Sequence, residues 1–509
     1  MNLPIKQHRR TLAVLILVLL SGAVLRLLPL GHKCFGADEG VIWWMALGQI
    51  QHDAPPIYIY AFGWAIHLFG WSEFAGRMPS ALFGILSIIV VYAVGITVFD
   101  RKFALYSAFL AAISAYLIPI SQEMRIYSLL GLEILLALWF FLQILKERKA
   151  SAVWWLALLI VAVIGQYTHC FFIFVLGYFG LVLFIRTGWK GWRVWTRYLL
   201  VLIAVILVGA PELSKTFSVA STRQHLYATD FFHLKMNVFR VLRTYFGFLY
   251  GDYLTNLPGS LIPYLKAHPL RLLVSVAMMG SWIIIAVGGL KISAKIVRGH
   301  DFQSLAIRTL IGMLLAFTAL FFIVDVSTGA HLIFIYVPFL FIVTIYWARG
   351  KGIFKKVLFA LFLILTAVSL FTHYGLPYAA YERADWRAAS TLFERELNSA
   401  DALLLFRSRN AYYTLKFYHP ELNAVTYYTP RHDPALLNDR ALAAWWRNTN
   451  PVEKVNSLLE RHSRVWVVEA DLHLNEDAAF GKFPYRLWDF GEDLRVYLIQ
   501  REDIRAAEI

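Results

Sequence analysis

Apolar runs of about twenty residues recur from residue 11 to residue 372, and they constrain the fold of this chain more than any other feature. A helix of that length crosses the hydrocarbon core of a bilayer, which is roughly 30 Å thick. The sequence is 59% hydrophobic and only 16% charged, far more apolar than a soluble globular domain. These features predict a mainly α-helical, polytopic membrane protein.

The runs predict about eleven transmembrane helices. The first run is too long for a signal peptide and lacks a small-residue cleavage site, so we expect it to remain as a span. Between the spans we expect amphipathic surface helices over about 39–77 and a long extracytoplasmic loop over about 212–267. The expected spans are residues 11–30, 78–99, 103–121, 126–145, 152–168, 170–186, 197–211, 268–290, 305–324, 331–348 and 353–372.

Lysine and arginine residues gather at alternate ends of these runs, for example at Lys6, Arg101, Lys146 and Lys351. The opposite short loops carry almost none. Basic residues mark the cytoplasmic ends of spans, so the formal net charge of +15 indicates membrane topology and not a nucleic-acid partner. With an odd number of spans, the N-terminus lies in the cytoplasm and residues 373–509 lie outside it.

Residues 373–509 have the composition of a soluble domain, and their periodicity predicts an α/β fold. "DWRAASTLFEREL" and "PVEKVNSLLERH" have helical spacing, whereas "ALLLF", "AVTYY", "RVWVVEA" and "LRVYLIQ" are typical of short strands. The domain has no glycine-rich phosphate loop, zinc-ligand spacing or catalytic triad. Two roles stay open for it: a cap that shapes a cavity, or recognition of an acceptor.

The chain has two cysteines, Cys34 and Cys170, which fall near the same face of the membrane. We expect two unpaired thiols, although a disulfide between them stays open.

Several ionisable and aromatic residues collect on the extracytoplasmic face. In "CFGADEGVIW", two adjacent carboxylates directly follow the first apolar run, and ionised groups beside a bilayer are costly unless they face water or a cavity. "PPIYIY", "SQEMRIYSLL" and "QYTHCF" contribute further groups at a similar depth. The candidate residues are Asp38, Glu39, His52, Asp53, Tyr58, Glu123, Arg125, Tyr127, His169 and His331.

Each of these groups also has a structural explanation. Glu123 and Arg125 can form an interfacial ion pair, and His169 can bond to backbone. Asp38 and Glu39 can begin a re-entrant helix, where the helix dipole favours carboxylates. Considered together on one face, they predict a site for an anionic lipid-linked substrate with a carboxylate base.

The order of "ADEG", "PPIYIY", "FGWSEFAGRMPSALFG", "SQEMRIYSLL" and "YTH" resembles the bacterial branch of the protein mannosyltransferase-like family. These are membrane glycosyltransferases of the GT-C architecture, and the aminoarabinose transferase of lipid A is a relative. The resemblance is dense over residues 34–175 and returns at "YERADWRAAS". It implies a bacterial inner-membrane enzyme of lipopolysaccharide or other cell-envelope glycan synthesis. Such an enzyme moves a sugar from a polyprenyl phosphate to a lipid, glycan or protein acceptor outside the cytoplasm.

The resemblance also implies residue roles. Asp38 matches the family's acidic residue after the first span, which is its general base, and Glu39 supports Asp38 or orients the acceptor. Arg125 matches the arginine that faces the donor phosphate, a task that suits a permanently charged, bidentate donor.

The sequence departs from the family's pattern at two places near the donor phosphate. The residue before the proline pair is Ala54, where the family often has His or Lys, and His52 and Asp53 lie upstream. His331 and Leu332 occupy the place of an Arg-Tyr pair that often opens the tenth span. These departures leave the sugar and any divalent cation open, and no cofactor or metal-binding residue is assigned.

The implied chemistry agrees with the residue types. A polyprenyl phosphate is an acceptable leaving group, whereas an acceptor hydroxyl must lose a proton, which a carboxylate can take. A single displacement of this kind inverts the anomeric centre. The alternative function is a flippase or transporter for a polyprenyl-linked sugar, without transferase activity. The absence of an evident inverted repeat in the sequence favours the enzyme.

Overall fold

The computed structural model describes a helical bundle followed by a small domain built on a β-sheet. The described residues are 5–28, 30–50, 56–147, 151–188, 191–224, 231–251, 269–323, 329–375, 384–406, 409–420, 451–470, 484–490 and 494–501.

The bundle contains fifteen α-helices within the described residues, and a short 3₁₀ turn, Gly329–Leu332, precedes the fourteenth. They are α1 (Ile5–Leu27), α2 (Ala37–Ala46), α3 (Pro56–Phe69), α4 (Glu73–Val98), α5 (Arg101–Ala112), α6 (Leu117–Ser121), α7 (Tyr127–Lys146), α8 (Ala152–Thr168), α9 (Phe172–Thr187), α10 (Trp192–Gln224), α11 (Phe231–Tyr250), α12 (Pro269–Ile296), α13 (Phe302–Ile323), α14 (Ile333–Arg349) and α15 (Ile353–Gly375).

Eight helices of the described chain are long and apolar enough to cross a membrane. They lie in α1, α4, α7, α10, α12, α13, α14 and α15, and α7 and α14 are the most enclosed of them. Helices α3, α8 and α9 are apolar but shorter. The predicted multi-pass membrane architecture is confirmed, whereas the count of eleven spans is not.

The predicted third span is not one helix but two, α5 and α6. The Arg26 guanidinium donates to the last carbonyls of α5, at Ala111 and Ala112, over 2.9 Å each. The Ser114 hydroxyl then accepts the Leu117 N–H over 3.1 Å, which caps the start of α6. Because these side chains satisfy the backbone groups at the break, the chain can turn inside an apolar run.

The region between α1 and α4 contains the two short helices that its amphipathic pattern predicts. Helix α3 begins at Pro56, whose missing N–H and fixed φ suit the first turn of a helix. Tyr60 and Trp64 on α3 are 69% and 68% exposed. Aromatic side chains of this kind suit the headgroup level of a membrane.

The predicted loop over 212–267 is helical wherever it is described, because α10 continues to Gln224 and α11 follows. Apolar residues recur at helical spacing in α11, and Val241, Phe248 and Tyr250 are buried against the bundle. Burial of that face outweighs the polar residues that made the segment resemble a loop.

The C-terminal domain has helices α16 (Trp386–Glu396), α17 (Arg409–Tyr418) and α18 (Pro451–Leu459). Its strands are β1 (Ala402–Phe406), β2 (Arg464–Ala470), β3 (Tyr485–Asp489) and β4 (Leu494–Gln500). The sheet order is β1-β2-β4-β3, with β1 parallel to β2 and the other neighbours antiparallel.

Alternate residues of the strands build two cores, as the period of a strand requires. Leu403, Leu405 and Val468 pack with α16 and α17, whereas Leu404 and Val467 pack with α18. The predicted α/β character is confirmed. Strand β3 was not predicted, and "AVTYY" lies outside the described residues.

Cys34 and Cys170 are both free thiols, as expected, and form no disulfide bond with each other.

Candidate active site

Helix α2 carries the two carboxylates of "ADEG" in its first turn. The Glu39 side chain folds back, and its Oε2 accepts the Gly36 N–H over 2.8 Å. Asp38 and Glu39 both lie where the helix dipole stabilises negative charge. The two carboxylates therefore begin a helix, which is the structural explanation considered above. Their side chains also form ion pairs with different partners.

Asp38 forms an ion pair with Arg125, through Oδ2 and Nη2. The Asp38 side chain is 45% exposed and the Arg125 side chain 27%. Arg125 lies in the turn between α6 and α7, and its N–H donates to the Glu123 carbonyl over 2.8 Å. A carboxylate and a guanidinium thus stand in contact at an accessible position.

Glu39 is buried and forms a bidentate ion pair with Arg77 of α4. Arg77 Nε and Nη2 lie 2.8 Å from Glu39 Oε1 and Oε2, and the two side chains are only 2–3% exposed. The Met124 N–H also donates to Glu39 Oε1 over 2.8 Å. Glu39 therefore ties α2 both to α4 and to the turn that carries Arg125.

Arg77 extends this network to the backbone before α2. Its Nη1 donates to the carbonyls of Leu30 and Lys33 over 2.9 and 2.7 Å, and its Nη2 donates to the Cys34 carbonyl over 2.8 Å. One arginine thus fixes the connection between α1 and α2. This role of Arg77 was not predicted from the sequence, although a charged residue inside "FAGRMPSALFG" is itself a signal, because charge in an apolar segment needs a partner.

Tyr127, His331 and His169 form a row beside the ion pair. The Tyr127 hydroxyl lies 3.3 Å from His331 Nε2, and the ring centroids of His169 and His331 are 5.4 Å apart. His169 Nδ1 accepts the Phe171 N–H over 3.1 Å, so His169 does bond to backbone, which is the structural explanation given for it above. Burial, together with the neighbouring His331, lowers the pKa of His169 to about 3, so the ring is neutral.

Two further predicted residues lie at this place. Tyr58 is buried on α3, near Tyr127 and close enough to Arg125 and Asp38 for their charges to act on it. Glu123 is half-buried, and its charge acts on both Arg125 and Arg77. The fold therefore brings most of the predicted site residues together.

The other candidates remain untested by the geometry. His52 and Asp53 lie outside the residues that the structure describes. Within the described ranges, no three histidine, cysteine, aspartate or glutamate side chains come close enough to hold a metal ion.

One ionisable residue inside the membrane was also missed. Glu133 is buried in α7, and the Thr168 hydroxyl donates to its Oε1 over 2.8 Å. Its neighbours in α7 are all apolar, so the sequence of this segment indicates a membrane span and gives no sign of a partner for Glu133.

The chain is similar to known proteins in part of its sequence and in its fold. The family model for dolichyl-phosphate-mannose-protein mannosyltransferase matches residues 53–214. That segment contains Arg77, Arg125 and His169, but it begins after Asp38. No curated protein sequence matches the chain.

Three solved structures share the fold over nearly the whole chain. ArnT from Cupriavidus metallidurans, bound to undecaprenyl phosphate, has a TM-score of 0.57 and 14% identity, covering 97% of this chain and 98% of that one. The apo oligosaccharyltransferase of Archaeoglobus fulgidus has a TM-score of 0.55 and 12% identity, covering 97% and 75%. AglB from the same organism, with an inhibitory peptide and a dolichol-phosphate, has a TM-score of 0.54 and 10% identity, covering 98% and 75%.

These matches confirm the resemblance that the ordered motifs indicate. The chain shares the GT-C fold of these solved structures over nearly its whole length.

Proposed function

We propose that this chain transfers a sugar from a polyprenyl-phosphate donor to a hydroxyl of a lipid, glycan or protein acceptor. In this proposal the reaction takes place on the extracytoplasmic face of a bacterial inner membrane, and it inverts the anomeric centre. The observation that carries the proposal is the accessible contact between Asp38 and Arg125. ArnT and AglB, which share the fold, hold undecaprenyl phosphate and dolichol-phosphate.

The contact supplies the two groups that the displacement needs. The acceptor oxygen attacks the anomeric carbon, and the bond from that carbon to the phosphate oxygen breaks. The electron pair leaves with the phosphate, whose growing charge is stabilised by Arg125. The acceptor proton passes to a carboxylate oxygen of Asp38, which later releases it to water.

Arg125 can serve the phosphate while it stays beside Asp38. A guanidinium has five N–H groups, and the contact with Asp38 runs through Nη2. The remaining donors can bind phosphate oxygens, which keeps the base and the leaving group within reach of one sugar. In this proposal Tyr58 and Tyr127, which lie near Arg125, and His331, which contacts Tyr127, would donate further hydrogen bonds to the same anion.

The orientation of the chain follows from its basic residues. We place the N-terminus in the cytoplasm and the C-terminal domain outside it, on the same side as Asp38. In this orientation the site binds the polyprenyl-phosphate donor at the outer surface of the membrane.

The second candidate function is a flippase or transporter for the same lipid-linked sugar. Glu133 is the observation that favours it, because buried carboxylates within spans often line transport pathways. The hydrogen bond from Thr168 also gives Glu133 a local structural role.

The deciding experiment measures release of undecaprenyl phosphate by the purified chain in detergent. The donors are undecaprenyl-phosphate-linked hexoses, pentoses and aminopentoses, supplied with membrane extract as the acceptor source. We expect release from at least one donor, with the sugar recovered on the acceptor. Binding of undecaprenyl phosphate without release from any donor would favour the flippase, and absence of binding would contradict both functions.

A further inference from the structure

The C-terminal domain packs directly on the helix that carries Asp38. Helix α17, which we call the docking helix, lies against α2 at Gly40. A Cβ atom added to Gly40 would lie 2.6 Å from Thr414 Cα and 2.7 Å from Thr414 N. These are backbone atoms of the docking helix, so no rotation of a side chain can make room. Only glycine at position 40 permits this approach.

Aromatic side chains of the bundle pack against the docking helix and donate hydrogen bonds to it. The indole N–H of Trp44 donates to the Tyr413 carbonyl over 2.8 Å, and that of Trp71 donates to the Phe417 carbonyl over 3.2 Å. The Phe417 ring stacks on Trp71 with a centroid distance of 5.6 Å and meets Trp43 edge-on at 4.8 Å. Phe417 is therefore part of the apolar core of the bundle's outer end.

Hydrogen bonds join the domain to the backbone before α2 and to the start of α4. The Tyr418 hydroxyl accepts the Phe35 N–H and donates to Glu73 Oε1, each over 2.8 Å. Arg387 of α16 donates to Glu73 Oε1 over 3.0 Å and to the Gly31 carbonyl over 2.9 Å. The segment before α2 is thus held by the C-terminal domain as well as by Arg77 of α4.

Helix α2 therefore lies between two restraints. The Glu39–Arg77 pair holds it from the bundle, and the docking helix presses on it at Gly40, two residues after Asp38. Because α2 has only ten residues, a shift at Gly40 moves Asp38 with it.

We propose that the docking helix is a positioning element of the active site, which fixes α2 so that Asp38 meets Arg125. Its effect on turnover rests on the proposed function, whereas its role in bringing Asp38 and Arg125 together can be measured without activity. The proposal assigns Gly40 and Trp44 as positioning residues that act through Asp38.

The first test measures proximity by cross-linking. Asp38→Cys and Arg125→Cys are combined in a Cys34→Ser/Cys170→Ser background, and a short bifunctional maleimide joins the two thiols. We expect Gly40→Ala to lower the cross-linking yield severalfold. Gly177→Ala is the matched control, because Gly177 lies on an exposed helix face with nothing within 4 Å of an added Cβ. Equal yields in the two variants would overturn the proposal.

Trp44→Phe is a second variant that keeps the proposal testable if the Gly40→Ala protein does not fold. It keeps an aromatic ring at this place, removes the donor to the Tyr413 carbonyl and gives up part of the indole contact with Trp71. Size-exclusion chromatography and circular dichroism establish that each variant is folded. An unchanged yield in folded Trp44→Phe, together with an unfolded Gly40→Ala protein, would show that the contact serves stability alone.

The second test is a double-mutant cycle on turnover. A displacement of about 1 Å can lower a rate by about 10²-fold, so we expect a loss of that order in Gly40→Ala with KM nearly unchanged. Gly40→Ala should then add nothing in the Asp38→Asn background, because it acts through Asp38. If the losses of turnover from Gly40→Ala and Asp38→Asn multiplied in the double variant, Gly40 would not act through Asp38. Full turnover of Asp38→Asn alone would instead reject the proposed base, and the cross-linking result would still decide the docking contact.

Discussion

Asp38 and Glu39 are neighbours in sequence with opposite environments. Successive residues of a helix point about 100° apart, so a single turn can direct one carboxylate outward and the other inward. Asp38 is half-exposed beside Arg125, whereas Glu39 is enclosed by Arg77 and two backbone N–H groups. These environments suit Asp38 for proton transfer and Glu39 for holding the site together.

Asp38→Asn should lower turnover by about 10²–10⁴-fold, the usual contribution of a general base. Asparagine keeps the shape of the side chain, and the cap of α2 is formed by Gly36 and Glu39, so the change leaves the cap in place. Binding of undecaprenyl phosphate should not weaken, because the change removes a negative charge from the neighbourhood of Arg125. Release kinetics and equilibrium binding measure the two effects. Wild-type turnover would leave Asp38 with a structural role only.

Arg125→Ala should raise the Kd for undecaprenyl phosphate by about 10–100-fold, since hydrogen bonds to charged groups contribute roughly 1.5–3 kcal/mol. Arg125→Lys should recover only part of the affinity, because a point charge replaces a planar fork. Isothermal titration of the solubilised protein gives both values. Wild-type affinity in both variants would remove Arg125 from the donor site.

At the scale of elements, one buried ion pair joins three parts of the bundle. Arg77 on α4 and Glu39 on α2 hold the backbone before α2 and the turn after α6. Buried pairs of this kind add little compared with apolar residues, but breaking one leaves an uncompensated charge. Their effect here is to fix a geometry.

Arg77→Met should destabilise the protein by about 3–5 kcal/mol, because Glu39 is left charged and buried. The double variant Arg77→Met/Glu39→Gln should be more stable than Arg77→Met, since the amide is neutral and still accepts the Met124 N–H. Thermal unfolding of the detergent-solubilised variants measures the difference. A double variant no more stable than the single one would contradict this account of the pair.

At the scale of the whole molecule, orientation determines which compartment the site faces. A reporter that is active only outside the cytoplasm should be active when fused after residue 390 and silent when fused near Lys149. The basic ends of the spans are the physical reason. The reverse pattern would overturn both the orientation and the side of the membrane on which we place the reaction.

Local chemistry made much of this molecule predictable from its sequence. Hydrophobicity and run length determine which segments can span a bilayer, and the alternation of "RVWVVEA" and "LRVYLIQ" determines strands, because each property acts over a few residues. The break between α5 and α6 was not predictable in this way, since it depends on Arg26 reaching carbonyls 85 and 86 residues away.

The sequence by itself determined the membrane architecture, the small α/β domain and most of the residues of the candidate site. Only the tertiary structure decided how they pair: Asp38 with Arg125 across 87 positions, and Glu39 with Arg77 across 38. It also decided that a helix of the C-terminal domain packs on Gly40. The physical reason is that ion pairs and close backbone contacts depend on distance in space, and distance in sequence carries no information about them until the chain has folded.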